Sequence, residues 1–264
     1  MELNIDQTKW YDRILASFIF FTRLPFWKLR QPPKTCYQSV VEHWPLTGWL
    51  TGALMGATIY FGSVVMPYYL VVVLAILVRV LVTGALHEDG LADFIDGFGG
   101  GSSRQRILDI MKDSRIGTYG VLGLIFYLLV LAAAIYSIPP YYAALMVFAA
   151  DPYSKMITSQ LILMMPYARR EEEAKSKTVY RKFDAKAGIS LALQGLLPMA
   201  AFIYIMDIPW EAIIFIPAIV MYLLYLYIWK KLGGYTGDCC GAVCLLVELS
   251  VYLCISLYNY SWPL

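Results

Sequence analysis

Residues 118–138 read TYGVLGLIFYLLVLAAAIYSI, a run of 21 residues without one charged side chain. A helix needs about 20 mainly apolar residues to cross the hydrocarbon core of a bilayer. Continuous apolar runs favour helices over the short alternating strands of a transmembrane barrel. This stretch therefore predicts an all-α integral membrane protein.

The rest of the chain repeats the pattern. We predict seven membrane spans, at 45–65, 68–86, 118–138, 141–166, 187–206, 211–229 and 241–260. In the first of them Gly48, Gly52 and Gly56 recur every fourth residue, which places small residues on one helix face for close packing.

The composition agrees with a membrane protein. Of the 264 residues 59% are hydrophobic and 15% charged, whereas soluble domains carry about 25% charged residues. An aromatic share of 15% argues against disorder. The net charge of +2 gives no basis for a nucleic-acid-binding surface. We therefore treat 1–264 as a single membrane-embedded catalytic domain that binds no nucleic acid.

The distribution of positive charge predicts the orientation. The long connections hold 19 of the 21 Lys and Arg residues, namely the N-terminal region, 87–117, 167–186 and 230–240. The short connections hold none: 66–67, 139–140 and 207–210. Because positive loops face the cytoplasm, we expect a multi-pass membrane protein whose N-terminus, long connections and polar chemistry face the cytoplasm.

Residues 10–22 have a different pattern. Their apolar side chains follow helical spacing, at Tyr11, Ile14, Leu15, Phe18 and Phe21. This predicts an amphipathic helix at the cytoplasmic interface. A short first span is the alternative.

The most informative stretch chemically is HEDGLADFIDG at 87–97. On a helix Asp89, Asp93 and Asp96 fall within an arc of about 60°. Three carboxylates on one face repel one another unless a cation lies between them. Oxygen ligands favour Mg²⁺, which also binds substrate phosphates. Glu88 lies off this arc and ranks lower as a ligand, and a solvated acidic helix end is the alternative.

Cations follow the acidic stretch. GFGGGSS at 97–103 predicts a flexible loop without the GK[ST] ending of a P-loop, within a cytoplasmic active-site loop at about 87–117. A short helix then supplies Arg104, Arg106, Lys112 and Arg115, which suit an anionic diphosphate beside a metal. Attraction to lipid headgroups is the alternative, and it explains Arg104 better than Arg115.

Charged residues inside spans indicate function. On a continuous helix Arg79 lies about 80° from Asp89, where it would balance the acidic face or reach a phosphate. Asp151 and Lys155 are four residues apart and form either a structural pair or part of the site. Glu248 in the last span needs an inward-facing partner.

One more polar motif precedes the last span, GGYTGD at 233–238. Its Asp238 is a helix N-cap, a metal ligand or a phosphate-site residue, and the cap is the simplest of these.

Together these motifs resemble the cobalamin synthase (adenosylcobinamide-GDP ribazoletransferase) family. The motifs that carry the resemblance are FTRLP at 21–25, WPLTG at 44–48, HEDGLADFIDG at 87–97, MKDSRIGTYG at 111–120 and GGYTGD at 233–238. They follow one another through nearly the whole chain. One position departs from the family pattern, because Ser154-Lys155 stands where Ser-Arg is expected and a bidentate fork is lost.

The resemblance implies a Mg²⁺-dependent phosphotransfer. A hydroxyl of α-ribazole, or of its 5'-phosphate, attacks the phosphorus that carries the cobinamide side of adenosylcobinamide-GDP. GMP leaves, and adenosylcobalamin or its 5'-phosphate forms. The implied partners are these substrates and the lipid bilayer, and a homo-oligomer is left open.

The resemblance also implies roles for individual residues. The metal ligands would be Asp89, Asp93, Asp96 and Glu88. Lys112 and Arg115 would stabilise the leaving GMP, and Asp113 would be the general base. The substrate-binding residues would be Arg23, Arg79, Thr118, Tyr119, Lys155, Thr236 and Asp238.

Two other functions fit part of the pattern. A CDP-alcohol phosphotransferase shares the aspartate-rich helix end, but its DGxxAR…GxxxDxxxD spacing is absent from this sequence. A membrane transporter would explain charges within spans. Against it, most charges cluster at the cytoplasmic end and no inverted repeat is visible.

Overall fold

The computed structural model describes residues 8–169 and 179–262. All regular structure in these ranges is helical, and the single strand-like contact is an isolated bridge between Tyr167 and Tyr235. The α-helices are α1 (Asp12–Phe21), α2 (Trp44–Val65), α3 (Tyr68–Thr83), α4 (Leu86–Gly100), α5 (Arg104–Lys112), α6 (Thr118–Tyr136), α7 (Pro140–Met164), α8 (Ala185–Met206), α9 (Trp210–Leu232) and α10 (Gly237–Ser261). Two 3₁₀ segments, Phe26–Lys28 and Lys34–His43, lie between α1 and α2. The all-α prediction is confirmed.

The number of spans differs from the prediction. Within the described residues, five helices are long and apolar enough to cross a membrane, namely those containing α2, α6, α8, α9 and α10. A sixth results if α3 and α4, which meet at a bend of 91°, count as one broken span. The prediction of seven counted α3 and α7 as full spans. However, α3 has only 16 residues, and the long helix α7 carries buried polar residues at its centre.

The positively charged connections share one end of the bundle. The backbone N–H of Ala168 donates to the carbonyl of Tyr235 at 2.8 Å, and the N–H of Arg181 donates to Gln38 at 2.8 Å. At the opposite end, the Ser137 hydroxyl lies 2.6 Å from that of Ser256. The charge pattern thus predicted correctly which connections lie together.

The glycine face of α2 makes the predicted close helix contact, and its partner is α7. A Cβ atom on Gly48 would lie 2.8 Å from the Pro152 Cα, and one on Gly56 would lie 2.7 Å from the Ala144 carbonyl oxygen. A larger residue would therefore push the two backbones apart. This tight contact lets α7 run through the centre of the bundle, where neighbouring helices shield its polar side chains from lipid.

The chain breaks sharply between α3 and α4. Gly84 and Ala85 both adopt left-handed backbone angles, with φ of +65° and +56°. A glycine reaches this region without penalty, whereas an alanine there is strained. The prediction that Arg79 and Asp89 share one continuous helix is therefore wrong.

Residues 87–117 are mainly helical rather than an extended loop. Helix α4 continues through the glycines to Gly100, and α5 begins at Arg104 after a connection of only three residues. The two helices pack closely, because a Cβ on Gly97 would lie 2.5 Å from the Met111 side chain. The predicted flexible loop at 97–103 is therefore largely absent from the described structure.

The predicted N-terminal amphipathic helix is present as α1. With 10 residues it is about 15 Å long, half of a bilayer core, which argues against a short first span. Its buried face carries Asp12, which accepts a hydrogen bond of 2.7 Å from Arg30 Nε. The Arg30 guanidinium lowers the pKa of Asp12 and keeps that carboxyl ionised. The placement of α1 at a membrane surface stays a prediction.

Candidate active site

A cavity of about 280 Å³ opens where α1, α2, α4 and α10 meet at the charged end of the bundle. We call it the aromatic cavity. Two carboxylates and a guanidinium line it, those of Asp89, Asp238 and Arg169, together with several aromatic rings that include Phe21 and Trp44. It thus combines acidic groups, a cation and flat apolar walls.

Glycines bring the two carboxylates to the same cavity. A Cβ on Gly90 would lie 3.1 Å from the Asp238 Cα, so α4 and α10 touch at their backbones. Thr236 is the N-cap of α10 and accepts a hydrogen bond of 3.2 Å from the Cys239 N–H. Asp238 is therefore not the cap, and it lies in the first turn with its side chain at the cavity. Thr236, predicted as a substrate-binding residue, is buried in this structural role.

The geometry bears on the predicted metal site. Within the described residues, no three Asp, Glu, His or Cys side chains are grouped closely enough to hold a metal ion. The three-aspartate arrangement is therefore not assembled here, although all three aspartates lie on α4. Mg²⁺ is commonly held by one or two carboxylates together with substrate phosphates. Asp89 and Asp238 both line the aromatic cavity, with Asp93 one turn beyond Asp89 on α4, and magnesium stays a prediction.

Asp96 has a structural role. Its two carboxylate oxygens accept hydrogen bonds from the backbone N–H groups of Gly117 at 2.7 Å and Gly120 at 2.8 Å. Asp96 thus binds the unpaired N–H groups at the start of α6. A Cβ on Gly117 would lie 2.5 Å from the carboxylate, which explains the glycine there. These two hydrogen bonds hold the carboxylate at the start of α6, so Asp96 is a weak candidate for a metal ligand shared with Asp89.

A second cleft lies beside this cap. Its lining includes the predicted site residues Asp113, Arg115, Thr118 and Tyr119, but neither Asp89 nor Asp238. Arg115 forms an exposed ion pair of 2.8 Å with Asp113. The Arg115 hydrogen bonds lower the pKa of Asp113 to about 2, which makes this carboxylate a poor general base near neutral pH. The sequence prediction joined these residues into one site with the three aspartates. In the structure Asp96 lines this cleft beside them, whereas Asp89 lines the aromatic cavity.

A third, cationic cleft adjoins the aromatic cavity. Arg104, Lys112 and Arg169 line it, and Arg169 lines the aromatic cavity as well. Arg104 donates to the backbone carbonyls of Leu232 at 2.8 Å and Ala168 at 2.5 Å. Arg104 therefore holds two connections together, which favours a structural role over the lipid-headgroup contact.

Arg169 is the residue that sequence reasoning missed. It comes directly after the fourth predicted span, in the most basic of the connections, but no motif distinguishes it from its neighbours. Its side chain is half-buried and donates to the Leu108 carbonyl at 3.0 Å. Lys112, which was predicted, faces the same cleft from α5. These two cations are placed to meet a phosphate that extends from the aromatic cavity.

The buried arginine of α3 lies inside the bundle. Arg79 donates to Glu248 at 2.9 Å and to the Tyr127 hydroxyl at 2.9 Å, and it lies 3.6 Å from Glu88. This confirms the inward-facing partner predicted for Glu248. It also moves Arg79 and Glu88 away from their predicted roles in phosphate and metal binding, because they pair with each other.

The charged pair of α7 is also structural. Lys155 bonds to Asp151, and Asp151 accepts a further hydrogen bond of 2.5 Å from Thr51 on α2. Both charged side chains are buried. Lys155 contributes to none of the three clefts above. The structural-pair alternative is thus favoured over substrate binding.

Arg23 lies at the break between α3 and α4. Its backbone N–H donates to the Val82 carbonyl at 2.7 Å, and its side chain lies over Gly84. The residue is exposed. Arg23 was predicted to bind substrate, whereas its side chain contacts the bend and lines none of the three clefts.

Comparison with known proteins identifies the family. A model of the cobalamin-5-phosphate synthase family matches residues 13–256. The chain belongs to this family.

Curated relatives are similar to this chain along almost their entire length. A Leptospira interrogans adenosylcobinamide-GDP ribazoletransferase is 33% identical over 98% of this chain and 99% of its own length. Proteins of the same name from Vibrio parahaemolyticus and Shewanella frigidimarina are each 34% identical, over 92% and 94% of this chain and 91% and 97% of their own lengths. No solved structure matches the chain. Membership of the cobalamin-5-phosphate synthase family argues against the phospholipid-synthase and transporter alternatives.

Proposed function

We propose that this chain transfers the adenosylcobinamide-phosphate group of adenosylcobinamide-GDP to α-ribazole or its 5'-phosphate, releasing GMP. The observation that carries the proposal is the shared cavity of Asp89, Asp238 and Arg169 in a chain of this family. Carboxylates for a metal and a cation for a phosphate are the groups that diphosphate chemistry requires.

The reaction exchanges one phosphorus–oxygen bond for another. The acceptor hydroxyl oxygen forms a bond to the phosphorus that carries the cobinamide and releases its proton to water. The bond from that phosphorus to the bridging oxygen breaks, and this oxygen leaves with GMP. Negative charge then develops on the leaving phosphate. Arg169 and Lys112 line the cleft into which GMP would depart, and their positive charges stabilise it there.

The carboxylates of the aromatic cavity would bind the metal ion. Asp89 and Asp238 would hold Mg²⁺, with Asp93 near the same helix face. When bound, Mg²⁺ acts as a Lewis acid on the diphosphate oxygens. The phenol of Tyr167 also lines this cavity, and burial raises its pKa to about 12, so it is uncharged and does not repel the diphosphate.

We place the enzyme in the bacterial cytoplasmic membrane with the aromatic cavity facing the cytoplasm. The positive connections that surround the cavity support this orientation. A corrinoid is far larger than a 280 Å³ cavity. Most of that substrate would therefore lie outside it, over the charged end of the bundle.

The proposal is tested by GMP release. The purified chain in lipid nanodiscs is supplied with adenosylcobinamide-GDP, α-ribazole and Mg²⁺, and GMP is quantified by chromatography. We expect Asp89→Asn and Asp238→Asn to lower kcat/KM by at least about 100-fold, the scale of losing one group that stabilises transition-state charge. Asp207→Asn is the matched control, since Asp207 lies in a short connection and its φ of +49° suits asparagine.

Three outcomes would reject the proposal. The first is the absence of GMP with the unmodified chain under all conditions. The second is release of CMP from CDP-linked alcohols, which would indicate a phospholipid synthase. The third is an equal decrease in kcat/KM in Asp89→Asn, Asp238→Asn and the control Asp207→Asn. That result would show that Asp89 and Asp238 have no specific role in the reaction.

A further inference from the structure

Three nearly parallel rings pack together at the aromatic cavity, and we call them the ring stack. Phe21 lies 5.1 Å from Trp44 with an angle of 14° between the planes, Trp44 lies 5.8 Å from His87 with an angle of 15°, and Phe21 lies 6.3 Å from His87 with an angle of 8°. Each ring therefore neighbours the other two, and residues from α1, α2 and α4 form one aromatic wall. Tyr167 and Tyr180 line the same cavity. Walls of this kind favour a flat aromatic ligand, because stacked rings gain about 0.5–1.5 kcal/mol beyond simple burial.

Two ring nitrogens in this wall lack a partner. Within the described residues, neither Trp44 Nε1 nor His87 Nε2 has a hydrogen-bond partner, although both atoms are buried. Trp44 is 2% exposed and His87 is 5% exposed. Most buried polar groups in folded proteins have a hydrogen-bond partner, so two buried nitrogens without one beside a cavity need an explanation. A bound ligand with a polar edge supplies one.

We propose that the aromatic cavity binds the flat base of the nucleoside acceptor, the benzimidazole-type ring of α-ribazole. The inference rests on the proposed function and names which substrate occupies this cavity. At 280 Å³ the cavity lies just below the range of about 300–1,000 Å³ typical of ligand pockets. It accommodates one nucleoside-sized group and excludes the corrinoid.

The position of the carboxylates favours the acceptor over guanine. Asp89 and Asp238 line the same cavity as the ring stack. In the acceptor, only a ribose separates the base from the attacking hydroxyl. In the GDP moiety, a ribose and a phosphate separate guanine from the reacting phosphorus. A base that lies beside the metal-binding carboxylates is therefore more readily that of the acceptor.

The hydrogen-bonding capacity of the cavity points to the same ligand. A benzimidazole riboside has one free ring nitrogen, which accepts a single hydrogen bond, and apolar edges elsewhere. Trp44 Nε1–H is a donor only and can satisfy that acceptor. Guanine instead presents several donors and acceptors along one edge. The carboxylates that could accept from it are assigned to the metal in the proposed function, and the two unpaired nitrogens alone are too few to satisfy that edge.

The test measures KM separately for α-ribazole and for adenosylcobinamide-GDP. Initial rates of GMP release are measured in nanodiscs while each substrate is varied at saturation of the other. Trp44→Phe keeps an aromatic ring and removes the N–H. We expect it to raise KM for α-ribazole about 3- to 10-fold, the effect of one lost hydrogen bond, and to leave KM for adenosylcobinamide-GDP within about twofold. Trp49→Phe is the matched control, because the Trp49 N–H donates to the Gln194 carbonyl away from the cavity.

A second measurement needs no variant. Free benzimidazole should inhibit the unmodified enzyme competitively with α-ribazole and not with adenosylcobinamide-GDP. An increase in KM for adenosylcobinamide-GDP in Trp44→Phe, or competition of benzimidazole with that substrate, would assign the cavity to guanine and overturn the inference. Unchanged KM values in Trp44→Phe together with no inhibition would overturn it as well. GMP release in any of these cases would leave the proposed function standing.

Discussion

Replacing Asp96 with asparagine tests whether this aspartate caps α6 or binds a metal. The carboxylate accepts two backbone hydrogen bonds, of 2.7 Å from Gly117 and 2.8 Å from Gly120. An asparagine has one oxygen acceptor and one NH₂ donor, so it leaves one of these N–H groups unpaired. It also removes a negative charge from the N-terminus of α6, where the helix dipole favours one.

The expected cost follows from these contacts. A buried N–H left without a partner costs about 1–3 kcal/mol, and loss of an N-cap costs about 0.5–2 kcal/mol. We expect Asp96→Asn to destabilise the protein by about 1–3 kcal/mol. For a protein of this size that corresponds to a decrease in Tm of very roughly 2–10 °C.

The assay compares thermal unfolding in detergent with GMP release for Asp96→Asn and Asp89→Asn. Asp89 is exposed at the cavity, so its replacement should abolish activity and leave Tm within about 1 °C, as expected for a surface substitution. Asp96→Asn should lower Tm and retain part of the activity below the new Tm. If Asp96→Asn left Tm unchanged and abolished activity as fully as Asp89→Asn, the capping role would be refuted and the three-aspartate metal site restored.

Three further predictions concern charged residues outside the aromatic cavity. Arg104→Ala should lower Tm by several degrees, because two backbone carbonyls lose their donor; an unchanged Tm would return this residue to the membrane surface. Asp113→Asn should leave the pH dependence of kcat/KM unchanged between about pH 5 and 8, because Arg115 holds the pKa of this aspartate at about 2 and its carboxylate is already ionised there. A change in the pH dependence of kcat/KM in that range would reinstate Asp113 as the general base. Glu248→Leu removes the closer carboxylate of buried Arg79 and leaves Glu88 at 3.6 Å as its remaining partner. It should cost up to about 3–5 kcal/mol of stability, measured by unfolding in detergent; a stability equal to that of the unmodified protein would show that the pair is dispensable.

Sequence reasoning was strongest for local patterns. Helical periodicity correctly predicted α1, and the spacing of Gly48 and Gly56 predicted a close helix contact, although not that α7 would be the partner. The count of Lys and Arg residues predicted which connections share an end of the bundle. Each of these depends on residues that are near in the chain or on a simple physical preference, so a sequence alone is sufficient.

Long-range pairing was beyond the sequence. The capping partner of Asp96 is 21 residues away, and the donor for Glu248 is 169 residues away. Nothing in a single sequence identifies such partners. The same limit explains why Asp96 was grouped with Asp89 by spacing and why Arg169, which reaches the site through the folding of a distant connection, was missed.

The bend after α3 explains why the family motifs contain charged residues that do not reach the aromatic cavity. A straight continuation of α3 by the 15 residues of α4 would extend about 22 Å beyond the bundle. The 91° bend instead lays α4 across its end, against α10. The left-handed angle of Ala85 costs about 1–2 kcal/mol. Arg79 and Glu88 lie 3.6 Å apart across the bend, and Arg23 covers it, so these residues offset that cost and fix the direction in which Asp89 points.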